Sequence, residues 1–187
     1  MSAEGKEVRN HWIYVLGGRA LGEKAEKWAE RKIRQGKAYR VVAGAPPGAH
    51  QQRLAALRNA DVLYVFADAV REGRLGEWGI GPDELAAHLR AEGLDRGHQC
   101  LKIFASWSGD DFQAASYAEL VYGAAHREYP QLVVYGYHGQ VDAEGFDAHK
   151  TAGLGPGETL EVLSREQWLE RGARARENRV RFPPEHP

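Results

Sequence analysis

Apolar residues in this chain fall in short dense runs, separated by segments whose apolar positions recur at helical spacing. The runs are Trp12 to Leu16, Tyr39 to Ala43, Val62 to Phe66, Leu101 to Ala105 and Leu132 to Tyr135. Each is the length of a buried strand and too short for a core helix. Between the first two, Glu23 to Arg34 places Ala25, Trp28, Ala29 and Ile33 on one helical face and ends near Gly36. His50 to Asn59 predicts a helix with Leu54, Ala55 and Leu57 inward, after the breaker Gly44-Ala45-Pro46-Pro47-Gly48. Residues 70–81 hold Gly73, Gly76, Gly79 and Gly81 and read as a loop without a regular element. Pro82 to Glu92 predicts a helix with Pro in its first turn, Asp83 and Glu84 beside it and Gly93 past its end. Phe112 to His126 predicts another, with Ser108 or Asp110 as its cap and Asp111 in an acidic first turn.

Strand and helix thus alternate five times, the signature of a mostly parallel sheet with helices on both faces. The expected fold is a three-layer α/β/α arrangement with about five or six strands. Right-handed crossovers bring the carboxyl ends of all the strands to one edge. That edge collects Gly17, Gly18, Gly44, Asp68, Ser106 and His138, and in open α/β sheets it is where ligands bind. Beyond Gln140 the pattern changes. Residues 142–157 read as a long glycine-rich loop, Ser164 opens a charged helix over 165–176 anchored by Trp168 and Leu169, and 179–187 is extended and proline-rich. With no internal repeat, the whole of 1–187 reads as one domain, with 140–187 an extension wrapped on the core.

Composition narrows the function classes. The chain has 187 residues, 43% hydrophobic and 27% charged, with a formal net charge of −1. That balance offers no overall field for nucleic acid or an anionic membrane. No apolar run approaches the ~20 residues of a membrane span. The polar Met1 to Asn10 segment lacks the apolar core of a signal peptide, so the expected site of synthesis is the cytoplasm, with any export by a route that needs no cleaved signal. The single cysteine, Cys100, excludes an internal disulfide and a zinc ribbon. The eight histidines show no metal-ligand spacing, and no cofactor or metal is expected.

Two constellations could carry chemistry. Gly17-Gly18-Arg19-Ala20-Leu21-Gly22 joins a strand to a helix start, as phosphate cradles do, which makes nucleotide binding one reading. A P-loop, however, requires lysine and then a hydroxyl after its last glycine, and here Glu23 and Lys24 stand there. Ser106, His138 and Asp68 are the three parts acyl transfer needs: nucleophile, base and orienting carboxylate. An active hydrolase built on them is an alternative, although Ser106 lacks the G-x-S-x-G context of a nucleophile elbow.

The layout around Val62-Leu63-Tyr64-Val65-Phe66-Ala67-Asp68-Ala69, the glycine-rich loop with Gly79-Ile80-Gly81-Pro82, the helix from Glu84 to Ala91, and Leu101-Lys102-Ile103-Phe104-Ala105-Ser106-Trp107-Ser108-Gly109 resembles the caspase-like cysteine peptidases. It looks most like the self-processing cysteine-protease domain of large bacterial toxins. The resemblance covers roughly residues 12–140. It implies that Asp68 stands at the position of the catalytic histidine and Ser106 at that of the nucleophilic cysteine. Aspartate, with a reference pKa of ~3.9, is a far weaker base than imidazole, and a serine hydroxyl lacks the thiolate that makes cysteine nucleophilic. Cys100 cannot substitute, since it lies at the other end of its strand, roughly 20 Å away at ~3.3 Å per residue. The resemblance therefore implies a catalytically degenerate protein, a pseudo-peptidase acting as a protein-binding or delivered bacterial effector module. Trp107, Tyr137 and His138 are then expected to line a cleft that takes a peptide segment or protein partner.

Overall fold

The computed structural model describes residues 9–112, 114–143, 151–154, 164, 166–167 and 173–185. In chain order its elements are β1 (His11–Val15), α1 (Arg19–Arg34), β2 (Tyr39–Ala43), β3 (Val62–Arg71), β4 (Arg74–Leu75), α2 (Pro82–Ala91), β5 (Cys100–Ser106), β6 (Asp111–Phe112), β7 (Ala115–Ser116), α3 (Tyr117–Ala125), β8 (Val133–Tyr137), β9 (Gln140–Asp142), β10 (Thr151–Leu154), β11 (Ala173–Arg174) and β12 (Arg179–Phe182). The main sheet has the order β12-β8-β5-β3-β1-β2. The four ladders from β8 to β2 are parallel, and β12 closes the edge antiparallel to β8. The fold is the mostly parallel, mixed α/β arrangement that the alternation of runs predicts.

Each sheet face buries a distinct set of side chains. On one face α2, α3 and the 44–61 connection pack Leu54, Leu57, Leu85, Leu89 and Val121 against Leu63, Val65, Leu101 and Ile103. On the other, α1 turns Ala25, Trp28 and Ala29 inward. Trp28 is fully buried, edge-on to Tyr64 at 5.0 Å and Phe66 at 5.7 Å and tilted against Phe104 at 5.1 Å. An aromatic side chain of this size buries about 150–250 Å², so Trp28 is the main anchor of that layer. A second sheet, β11-β10-β9, flanks the main one, and Ala143 and Ala175 beside it join the Trp28 cluster.

Four expectations need correction. No helix forms over 50–59. The N–H groups of Gln51 and Arg53 bond the Glu92 carboxylate, that of Leu54 bonds the Glu92 carbonyl, and Gln52 takes a left-handed φ of 55°. Tertiary partners at the end of α2 thus outbid a local helix. The 70–81 stretch does contain regular structure, because β3 runs on to Arg71 and β4 folds back on it. The helix expected from Phe112 begins only at Tyr117, behind a small β6–β7 hairpin. Its cap is Ser116, whose Oγ accepts the Glu119 N–H at 3.2 Å; Ser108 and Asp110 are engaged elsewhere. In the long loop expected over 142–157, Thr151–Leu154 forms β10, paired with β9 and β11. Ser164 Oγ accepts the Gln167 N–H, while Trp168 and Leu169 lie outside the described residues.

Candidate functional site

The parallel strands end along one edge, and the direction of winding reverses between β1 and β3. A crevice forms at such a switch point. Here it is a cleft of about 460 Å³ whose walls include Gly17, Gly18, Arg19, Asp68, Arg71 and Glu77. Asp68 reaches the cleft through an irregularity in the ladder. Phe66 pairs with Phe104 but Ala69 pairs with Ser106, so three steps of β3 oppose two of β5. A bulge of this kind re-aims a side chain. The Asp68 carboxylate is exposed, and its closest cation is Arg71 at 3.8 Å.

Ser106 ends β5 in the neighbouring register, yet its hydroxyl is not directed at Asp68. It is buried, and Oγ accepts the Val141 N–H at 3.2 Å, tying β5 to β9. Trp107 follows in the left-handed region at φ 61° and donates its N–H to the Gly139 carbonyl. Ser108 is fully buried and bridges two strands, donating to the Ile103 carbonyl at 2.7 Å and accepting the Tyr137 N–H at 3.0 Å. Gly109 packs so tightly on Gly136 that a Cβ at position 136 would stand 2.8 Å from the Gly109 Cα.

His138 pairs with a carboxylate that sequence reasoning had assigned to helix capping. Its Nδ1 lies 2.8 Å from Asp110 Oδ1, and Asp110 Oδ2 accepts the Gly139 N–H at 2.7 Å. The structure thus brings Asp110 and His138 together, and it leaves Asp68, Ser106 and His138 without a mutual hydrogen bond among the described residues. Tyr137 is also displaced from its expected role. Its side chain is buried on the α1 face, edge-on to Phe104 at 5.0 Å, away from the strand-end cleft. At the glycine turn, a Cβ on Gly18 would meet Glu77 Oε1 at 3.4 Å. A second carboxylate, Glu23, ion-pairs with Arg19 at 2.8 Å. Acids beside the turn disfavour phosphate there.

A strongly basic concavity lies elsewhere, on the α1 face. A pocket of about 260 Å³ is walled by the rings of Tyr39, Tyr64 and Tyr137. Around it stand Lys32 and Lys37 from α1 and its following turn, Lys102 from β5, Arg174 and Arg176 at β11, and Arg179 from β12, with no carboxylate among the described lining residues. Lys102 Nζ lies 5.2 Å from the Tyr64 ring centre and 5.5 Å from that of Tyr135, over which Arg179 also sits at 4.7 Å. Burial lowers the Lys102 ammonium below its ordinary range, and Arg179 and Arg9 add to the effect. Lys32 is the deepest cation, 4% exposed. Burial, reinforced by Lys37 and Arg31, brings its pKa down to about 8. Such mutual repulsion is relieved when an anion binds.

Among the described residues no cluster of His, Cys, Asp and Glu could hold a metal ion, and no helix is long and apolar enough to cross a membrane. Compared with known proteins, the chain matches no family model and no curated protein.

Proposed function

We propose that this chain is a catalytically degenerate, caspase-like module that acts by binding, and that a compact polyanion is the ligand of its basic pocket. One observation carries the reading: six cationic side chains converge on a pocket of about 260 Å³ that, among the described residues, no carboxylate lines. Assembling like charges costs stability, and a multiply charged ligand such as a polyphosphate would offset that cost. The absence of peptidase chemistry rests on Asp68 and Ser106. The first is an exposed carboxylate paired loosely with Arg71, and the second is a buried hydroxyl engaged by a backbone amide. The strand-end cleft beside Asp68 is where a peptide segment or protein partner would lie, in keeping with a delivered effector module.

Titration calorimetry with pyrophosphate and tripolyphosphate at two salt concentrations tests the ligand class. Binding should tighten with the number of phosphates, weaken steeply with salt and fall at least tenfold in Lys102→Met and Arg179→Gln. Equal, weak binding of both probes by wild type and variants would overturn it. The dyad positions are tested separately: Asp68→His with Ser106→Cys should gain thiol-reactive labelling at 106 if the family alignment is right.

The Asp110–His138 contact favours a second reading, a serine hydrolase in which Asp110, rather than Asp68, orients the base. A fluorophosphonate probe should then label the wild type and spare Ser106→Ala. Without labelling of the wild type this reading falls.

A further inference from the structure

We propose that two copies of this chain pair along their β2 edges, antiparallel and two-fold symmetric about Val41, to form one continuous sheet. The inference is independent of the ligand reading above. β2 ends the main sheet, and among the described strands only β1 pairs with it. The Ala38 carbonyl accepts the His11 N–H, and the Gly44 N–H donates to the Val15 carbonyl. The ladder therefore turns the backbone of Arg40 and Val42 toward β1 and that of Tyr39, Val41 and Ala43 outward. Among the described residues nothing bonds those outward groups. Common protections of an edge are missing from this strand. Its register is regular, no proline falls within it, and its single charge, Arg40, sits over the Trp12 ring at 4.6 Å.

The charge along α1 identifies a second copy as the occupant. The helix packs over β1 and β2, with its first turns beside Val41 and Ala43 and its end beside Tyr39. Between its start and the edge lies a groove of about 640 Å³ whose walls include Gly22, Glu26, Val41 and Ala43. Glu30 and Ile33 continue the face of Gly22 and Glu26 at helical steps. Ile33 is 52% exposed, one of the two most exposed large apolar side chains among the described residues. This side of the helix begins acidic, with Glu23, Glu26 and Glu30, and ends basic, with Arg34 and then Lys37. Lys27 is a cation within the acidic half, and Arg19 there is held by Glu23 at 2.8 Å. A two-fold axis sets such a patch against its own reverse. Antiparallel pairing puts Val41 opposite Val41 of the second copy and Tyr39 opposite Ala43, each pair exchanging two N–H···O bonds. The acidic half of each α1 then lies beside the basic end of the other, with both Ile33 side chains along the seam. Parallel pairing would instead set like charges together.

Sedimentation velocity over a concentration series reads the oligomeric state of the intact chain. Wild type should be a dimer that dissociates on dilution, and more readily at high salt, where exposed charges are screened. Val41→Pro removes an outward N–H that β1 does not use, a position where an edge strand tolerates proline, and should be monomeric. Charge reversals on the exposed helix surface keep the test open if that variant does not fold. Glu26→Lys with Glu30→Lys makes the stripe basic throughout, and Arg34→Glu with Lys37→Glu makes it acidic. Each of these chains alone should dimerise at least tenfold more weakly than wild type, whereas an equal mixture of the two should form a heterodimer. A wild type monomeric throughout the series would overturn the proposal, leaving the edge to an extended segment of another protein or to nothing. A dimer that both charge-reversed chains retain at full strength would overturn it as well, because another surface would then hold the copies together.

Discussion

Glu92 Oε1 lies 2.6 Å from Arg53 Nη1 while Oε2 accepts the Arg53 N–H at 2.9 Å, so one fully buried carboxylate holds both the side chain and the backbone of a single residue. This contact fastens the helix-free 44–61 connection to the end of α2. Removing one partner of such a pair leaves a cation and two amides without compensation. Glu92→Ala should therefore cost about 3 kcal/mol, read as a lower urea midpoint at constant m-value.

Acid should destabilise the protein in two stages. Burial lowers the pKa of His88, against the opposing charge of Glu92, and burial likewise lowers that of His98. Both imidazoles are held neutral, so the unfolded chain binds protons that the folded one refuses. Stability is then full above pH ~6.5 and falls as pH drops below it. For Glu92 and Asp61, burial alone would raise the carboxyl pKa, but hydrogen bonds from Arg53 and Arg58 outweigh it and the net shift is downward. Their contribution is lost only below the ordinary carboxylate range, near pH ~4. Thermal unfolding from pH 8 to 3 should show both stages, and His88→Gln should flatten the first.

Lys32→Met should raise stability at pH 7 by about 1–2 kcal/mol, because it removes a buried, repelled amine. The folded pKa of Lys32, about 8, lies below its ordinary value. Between the two the unfolded state binds more protons, so wild-type stability rises with pH there and the advantage of the variant shrinks. Denaturant titrations at pH 7 and pH 10 read the difference directly.

Space, rather than backbone conformation, limits Gly44 and Gly136. A Cβ at Gly44 would lie 2.4 Å from the Val15 carbonyl oxygen, the acceptor of the Gly44 N–H itself. At Gly136 it would meet the Ser108 carbonyl oxygen and the Ala118 Cβ, both at 2.7 Å. Each alanine variant should lose about 2–3 kcal/mol in chemical denaturation, as overpacking against backbone does.

The two serines of the central turn should differ in the opposite order from what a catalytic reading suggests. Ser108→Ala removes two buried hydrogen bonds and should cost about 2 kcal/mol, whereas Ser106→Ala frees one amide and should cost at most about 1 kcal/mol. Paired melting curves of the two variants check the ranking.

The inner strands β1, β3 and β5 were legible because they are dense apolar runs that fill the buried middle of the sheet, and β2 because its short run sits on the edge between strong breakers. The extension of β3 was not, since Ala67-Asp68-Ala69 carries no apolar signal beyond Phe66 and its bulge depends on pairing with β5. The false helix at 50–59 shows the opposite failure. Its local spacing is sound, but Glu92, far along the chain, takes its amides. Asp110 was visible only as a capping acid, because its partner His138 is brought beside it by the β5–β8 pairing. The basic pocket left no local trace at all. Lys32, Lys102 and Arg179 lie far apart along the chain in no recognisable motif, and only the fold gathers them.

The antiparallel ladder between β12 and β8, with Arg179 opposite Tyr137 and Phe182 opposite Val134, has a consequence for synthesis. On the ribosome β8 can dock on β5 as soon as it emerges, but its outer edge stays bare until residues 179–182 follow. Throughout that interval the nascent chain presents an open parallel edge, the feature that invites pairing with other chains. The last strand is therefore a seal, and a chain stalled before it would be the species most prone to aggregate.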